Sequence, residues 1–309
     1  MKTVIFGSGL MGSGIAAISA LAGNQTLLVD LDPKRAQNGI EAARTSIDEL
    51  VSQGLTTSEA RQAAQLLLSA GCDTQKSLTG ADLVIEAIVE NLEAKQTLFE
   101  ILDRLLPAEV PILSNTSGLR ITDIAAKAHL HPERTMTAHF WFPAHLVPLV
   151  EVVMWEKTDR AMAEKTIQTL KGWGKAPVLV KRDTPGQLAN RILQAVIREA
   201  VNIVATGLAT PEDVDTAVKM GMGIRFPVWG PLEHIDSVGL DLAVSVQNTV
   251  LPEISDAQTC NDYLLALVQN GNLGYKTGRG IYDWNKKDMD TLAAKRNDFI
   301  CSARRIIGA

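Results

Sequence analysis

Cysteine is scarce in this chain of 309 residues. Cys72, Cys260 and Cys301 stand far apart, and no C-x-x-C pair occurs. That excludes a disulfide framework or a cysteine zinc site, and no metal is expected; the pattern fits reduced thiols in the cytoplasm. Long apolar runs are missing too, none reaching the roughly 18 residues of a membrane span. Positive charge is not in excess: the net charge is −5, which argues against nucleic acid or an anionic membrane as partner. There is no low-complexity linker and no internal repeat. Met1 leads directly into an apolar run, so no cleavable signal is expected and a cytoplasmic location is. What is plentiful is apolar residues, at 46%, enough to bury a core in two domains or one large one.

The first fourteen residues, MKTVIFGSGLMGSG, organise the rest. Lys2 to Phe6 read as a buried strand. Gly7, Gly9 and Gly12 follow as G-x-G-x-x-G, and Leu10, Met11, Ile15, Ala16, Ile18 and Ala20 fall at helical spacing. Gly7 permits a tight turn, Gly9 lets a pyrophosphate approach the backbone, and Gly12 lets helix and strand pack closely. The helix N-terminus offers free N–H groups to phosphates. A second apolar run ends in Asp30, about twenty residues on, where an acid accepts hydrogen bonds from an adenosine ribose. An acid there also repels a 2′-phosphate, so NAD is expected rather than NADP.

Apolar runs alternate with helical stretches as far as Lys181. Strands are expected at 81–88, 110–114, 136–140, 150–153 and 176–181, with helices between, including 33–53, 55–69 (Thr57 as N-cap) and 160–173. This alternation predicts a parallel, doubly wound α/β sheet of Rossmann type, with ligands at the carboxyl ends of the strands. The character changes near Asp183-Thr184-Pro185-Gly186. Beyond it helical stretches are expected at 187–206, 211–220, 237–249 and 257–270, with no alternating strand and a charged helical tail over 285–309. The expected division is residues 1–184 for the dinucleotide and 185–309 as an all-α domain.

Four of the five histidines, His129, His131, His145 and His234, have no evident orienting acid and are expected to be structural or solvated. His139 differs. It ends a strand in MTAHFWFPAHLVPLVEVV, and Glu151 follows twelve residues on. If the loop folds back, Glu151 meets the imidazole, fixes its tautomer and leaves the other nitrogen to accept a substrate proton; otherwise the two are a half-buried histidine and a solvated acid. Ser117 sits past a strand end, either as a donor to a substrate oxygen or as a helix cap. Asn190 is either a cleft residue or a surface amide.

Together the stretches GSGLMGSGIA, VIEAIVENLEAK, SNTSGL, His139 to Glu151, DTPGQLANRIL and NLGYKTGRGIYDW resemble the L-3-hydroxyacyl-CoA dehydrogenase family. The resemblance implies a dinucleotide domain followed by a helical domain that forms a homodimer. It implies His139 as general base, Glu151 as its orienting acid, and Ser117 and Asn190 as hydrogen-bond partners of the reacting oxygen. It places Gly7, Gly9, Leu10, Met11, Gly12, Asp30, Glu90, Lys95 and Lys276 on the NAD side. Two features depart from the family. Phe142 stands where the family shows an asparagine. The phosphates of coenzyme A would want basic residues early in the chain, yet residues 36–94 hold only Arg44, Arg61 and Lys76. The stretch GMGIRFPVWGPLEHID and the tail look instead like the short-acid branch, which includes L-gulonate 3-dehydrogenase and carnitine 3-dehydrogenase. There Arg225 would bind a free carboxylate, with Trp141 and Trp229 as pocket walls; alternatively Arg225 forms a surface salt bridge. The expected activity is NAD-dependent oxidation of a small L-3-hydroxy acid. The alternatives are a 3-hydroxyacyl-CoA substrate, as in fatty acid metabolism, and a non-catalytic dinucleotide-binding protein.

Overall fold

The structure is a computed structural model that describes residues 1–308. It divides into two compact units: Met1–Leu188 together with the last residues from Ile300, and Ala189–Phe299. The first unit holds strands β1 (Lys2–Phe6), β2 (Gln25–Val29), β3 (Leu68–Gly71), β4 (Leu83–Glu86), β5 (Ile112–Ser114), β6 (Thr135–Phe140), β7 (Leu149–Val153) and β8 (Ala176–Val180). Its helices are α1 (Leu10–Leu21), α2 (Pro33–Ser52), α3 (Ser58–Leu67), α4 (Thr74–Leu78), α5 (Leu92–Leu105), α6 (Ile121–Ile124) and α7 (Arg160–Gly172).

The strands form one sheet in the order β3-β2-β1-β4-β5-β6-β7-β8. Its apolar runs are buried on both faces. Along β1, Val4 and Phe6 join one core cluster and Ile5 the other, as a two-residue period requires. The helices start where short polar side chains can cap them. Asp32 accepts from the N–H of Lys34, Thr57 from Ala60 and Asn91 from Ala94. In α2, Ala36, Gly39, Ile40, Ala43, Ile47 and Leu50 are buried, the stripe of an amphipathic helix.

Three expectations need correction. First, the sheet is not all parallel: β7 runs antiparallel to β6, with His139 paired opposite Glu151, while β8 is parallel to β7. A short connection between neighbouring strands permits only reversal; a parallel return needs a crossover. Second, the helix expected over 55–69 stops at Leu67, and Leu68–Gly71 pairs with β2 as an edge strand. Third, the helix expected over 237–249 is two, because Gly239 turns the chain at φ +101.

The second unit is helical: α8 (Ala189–Ala205), α9 (Pro211–Ala217), α10 (Pro231–Val238), α11 (Leu240–Val250), α12 (Asp262–Gln269) and the start of α13 (Met289–Ile307). A π-helical turn, Val218–Gly223, follows α9. Past Val180 the described residues form no strand, only isolated bridges at Arg279. No helix among the described residues is long and apolar enough to cross a membrane.

Candidate active site

The carboxyl ends of β1, β2, β4, β5 and β6 lie along one edge of the sheet, and the strand order switches between β1 and β4. Ligands bind at such a point. The three glycines there have the geometry that their spacing predicts. Gly7 has φ +100, and a Cβ on it would lie 2.3 Å from the carbonyl oxygen of Ala87. A Cβ on Gly12 would lie 1.8 Å from the carbonyl oxygen of Gly7, so helix and turn touch backbone to backbone. A Cβ on Gly9 would meet nothing within 4 Å. The space is open beside the first turn of α1, where the N–H groups of Leu10, Met11 and Gly12 have no intrahelical acceptor. A pyrophosphate fits this place in both shape and charge.

Asp30 lies at the end of β2, and its Oδ2 accepts from the hydroxyl of Ser8 at 2.6 Å. Burial pushes its carboxyl up, but the Ser8 hydroxyl and N–H, the Asp32 N–H and Arg35 outweigh that and hold it below the usual range. It is therefore a charged acceptor at neutral pH, suited to a ribose diol.

An ion-pair chain, buried at Lys95 and Glu86, ties β4, α5 and the end of β5 together. The ammonium of Lys95 is 2.6 Å from Glu86 Oε1 and 3.2 Å from Glu90 Oε2. Glu86 also accepts from Ser114 Oγ at 2.6 Å. Glu90 Oε1 accepts from Thr116 Oγ1 at 2.6 Å and from the N–H groups of Ser117 and Gly118. Partial burial raises the Glu90 carboxyl, yet Thr116, Gly118 and Lys95 prevail and lower it. So Glu90 fixes the loop that carries Ser117. The Ser117 residue itself is exposed and does not cap a helix; the cap residue of α6 is Arg120.

In the antiparallel pair, His139 Nδ1 and Glu151 Oε2 are 2.8 Å apart, with His139 7% exposed and Glu151 fully buried. A carboxylate only accepts, so Nδ1 carries a proton, and in the neutral ring Nε2 is the acceptor. Trp141 Nε1 donates to the same Oε2 at 2.9 Å, and its ring tilts against the imidazole at 5.7 Å between centroids. The N–H of Leu188 donates to Glu151 Oε1 at 2.9 Å. Asn115 Oδ1 accepts from the N–H of Phe140, tying the Ser117 loop to the His139 strand. Phe142, in the same loop as Trp141, is 52% exposed.

Sequence reasoning missed several of these residues. Glu86, the deeper partner of Lys95, reads as one more residue of an apolar strand. Gln187, buried at φ +50, donates from Nε2 to the carbonyl oxygen of Thr116. His145, read as lacking an acid, lies 2.8 Å from Glu49. Burial lowers its pKa, against the pull of Glu49. A carboxylate on a different helix leaves no trace in local sequence.

The other candidates lie in the second unit. Asn190 is partly buried in the first turn of α8, and Lys276 is exposed in the turn Tyr275–Thr277. Arg225 is exposed, its Nε donating to the Gly221 carbonyl at 3.0 Å. Among the described residues it forms no salt bridge. With Ile224, Val228 and Trp229 it lines an open cavity of about 420 Å³.

Comparison with known proteins agrees with this fold. The NAD-binding domain model of 3-hydroxyacyl-CoA dehydrogenase matches residues 2–184, and the model of its C-terminal domain matches residues 186–284. The chain is 33% identical over 314 residues to 5-formyl-3-hydroxy-2-methylpyridine 4-carboxylate 5-dehydrogenase of Mesorhizobium japonicum, covering 98% of this chain and 97% of that one. It is 34% identical over 290 residues to 3-hydroxybutyryl-CoA dehydrogenase of Clostridioides difficile, covering 93% and 100%. Among solved structures, a 5-formyl-3-hydroxy-2-methylpyridine 4-carboxylic acid 5-dehydrogenase, described as an NAD+-dependent dismutase, superposes with a TM-score of 0.91 at 31% identity over 100% and 98% of the two chains. The (S)-3-hydroxybutyryl-CoA dehydrogenase of Ralstonia eutropha gives 0.75 at 31% identity over 92% and 98%. With the two domain models together matching residues 2–184 and 186–284, the chain belongs to the 3-hydroxyacyl-CoA dehydrogenase family, and it is an NAD-dependent oxidoreductase that acts on CH–OH groups.

Proposed function

We propose that the enzyme oxidises the hydroxyl of a small L-3-hydroxy acid with a free carboxylate to the 3-keto acid, using a His139–Glu151 dyad. His139 Nε2 takes the hydroxyl proton as the carbonyl forms. Glu151 holds the ring and balances the imidazolium charge. The Ser117 hydroxyl hydrogen-bonds the reacting oxygen, and the family resemblance assigns Asn190 to the same atom. When bound, NAD would supply the hydride acceptor for the carbinol carbon. The glycine turn, Asp30 and the loop fixed by Glu90 and Lys95 serve its side of the site, and the resemblance adds Lys276.

The observation that carries the choice of a free acid over a thioester is that each of the three basic residues of 36–94 already has an acid partner. Arg44 pairs with Glu41 at 2.7 Å, Arg61 with Asp48, and Lys76 with Asp73 at 3.6 Å. Coenzyme A phosphates would compete with acids already in place. In support, the relative matched over 98% of this chain is named for a substrate that carries a carboxylate. Arg225, without an acid partner, is assigned to that group. Arg225→Met is expected to raise KM for an acid substrate by about tenfold or more, the worth of a charged hydrogen bond, with a smaller change in kcat. An unchanged KM in steady-state kinetics removes Arg225 from the pocket.

The homodimer belongs to the same proposal. In the second unit Val201 is the one buried apolar residue among those described, while Ile192, Leu232, Leu240 and Val244 are more than half exposed. A helical unit with so little core needs a second copy to cover it. A monomer at micromolar concentration in sedimentation would contradict this.

A further inference from the structure

The loop 141–148 joins the two strands of the dyad and contains one helical turn, with the N–H groups of Leu146 and Val147 both donating to the Pro143 carbonyl. The four carbonyls that follow accept from no backbone N–H of the loop among the described residues, as at the end of any helix. All four find side-chain donors. Lys175 Nζ donates to the carbonyl oxygens of Ala144, at 2.5 Å, and Val147, at 2.9 Å. Arg304 Nη1, from the last turns of α13, donates to those of His145 and Leu146 at 3.4 and 3.3 Å. The turn is held on its other sides as well. His145 pairs with Glu49 of α2. Leu146 is fully buried against Leu50 and Cys301. A Cβ on Gly14 would come within 3.1 Å of the Ala144 methyl, so the turn also presses on the helix that follows the glycine motif.

Lys175 is 7% exposed and has no carboxylate partner among the described residues. Burial and the nearby Arg304 guanidinium push its amine down to about 7. Burying an amine of this kind is costly, and its two carbonyl bonds offset part of that cost. The turn connects directly to the dyad. Trp141 at its start bonds Glu151, and Ala176, next to Lys175, donates its N–H to the Pro148 carbonyl just before β7.

We propose that Lys175 and Arg304 are positioning residues for the dyad, holding the 141–148 turn so that His139 and Glu151 keep their bond. Arg304 lies in the tail, beyond the last residue matched by the family models, so the tail serves the reaction and not only the fold. The inference rests on the dyad proposed above.

The test is Arg304→Met, with Arg304→Lys as rescue, in full-length protein labelled with 15N-histidine. In the parent, the His139 Nδ1–H held by Glu151 gives a downfield, slowly exchanging proton resonance. Arg304→Met is expected to broaden or shift that resonance and to lower kcat about tenfold on whichever substrate the parent oxidises. NADH affinity and KM should stay within about twofold, and Arg304→Lys should recover most of both losses. An unaltered resonance and kcat in Arg304→Met overturns the proposal, as does a loss that Arg304→Lys leaves unrepaired. A parent without the resonance contradicts the dyad itself, and this inference with it. Should Arg304→Met not fold, Arg304→Gln, which keeps a donor without charge, is expected to show a partial loss in the same readouts.

Discussion

His139→Gln is expected to lower kcat by roughly 10²–10⁴-fold, the usual contribution of a positioned general base. NADH binding, measured by fluorescence, should change by less than about twofold. The glutamine amide can still donate to Glu151, so the fold around the paired strands is preserved, but it offers no basic nitrogen. Glu151→Gln should fall between the two enzymes, because the ring stays in place while the carboxylate that balances its charge is gone. The pair therefore separates proton transfer from positioning. If His139→Gln turns over at the parent rate, the imidazole is not the base, and the His139–Glu151 contact is only a buried cross-strand pair.

The second large effect concerns stability. Lys95→Met is expected to destabilise the protein by about 3–5 kcal/mol, the cost of leaving one partner of a buried ion pair uncompensated. Lys95 is 1% exposed and Glu86 is fully buried. Without the ammonium, Glu86 keeps only the Ser114 hydroxyl and the Ile88 N–H as donors. The double variant Lys95→Met/Glu86→Gln should be more stable than Lys95→Met alone, since the stranded charge is removed. Urea unfolding of the four proteins forms a double-mutant cycle. An additive cycle would mean that the 2.6 Å contact carries no coupling energy. The same ammonium also holds Glu90, which anchors the Ser117 loop, so Lys95→Met should lower activity as well as stability.

Much of this was legible in the sequence because it depends on neighbours along the chain. The three glycines, the acid at the end of the second strand and the cap residue Thr57 act within a few residues of themselves. The helical character past Pro185 is likewise a matter of local periodicity. What escaped depends on partners far apart. Leu68–Gly71 is a strand because β2 lies beside it, while its own residues continue the pattern of α3. The reversal of β7 is set by a short loop whose turn is held by Lys175 and Arg304, from the start of β8 and from the end of the chain. His139 and Glu151 could be suspected from their spacing, but only the antiparallel register makes them directly opposite. Glu86 and Gln187 were hidden for the same reason: one faces Lys95 across the interior, and the other reaches Thr116 from the far end of the unit.

The most direct test of the central claim is side-by-side reduction of NAD with matched substrates. One set is free acids, namely L-3-hydroxybutyrate, L-gulonate and carnitine; the other is L-3-hydroxybutyryl-CoA and longer thioesters. The account predicts NADH formation with at least one free acid, at a kcat/KM above that of every thioester. Turnover of the thioesters alone would contradict it, and would mean that coenzyme A binds despite the paired cations of residues 36–94.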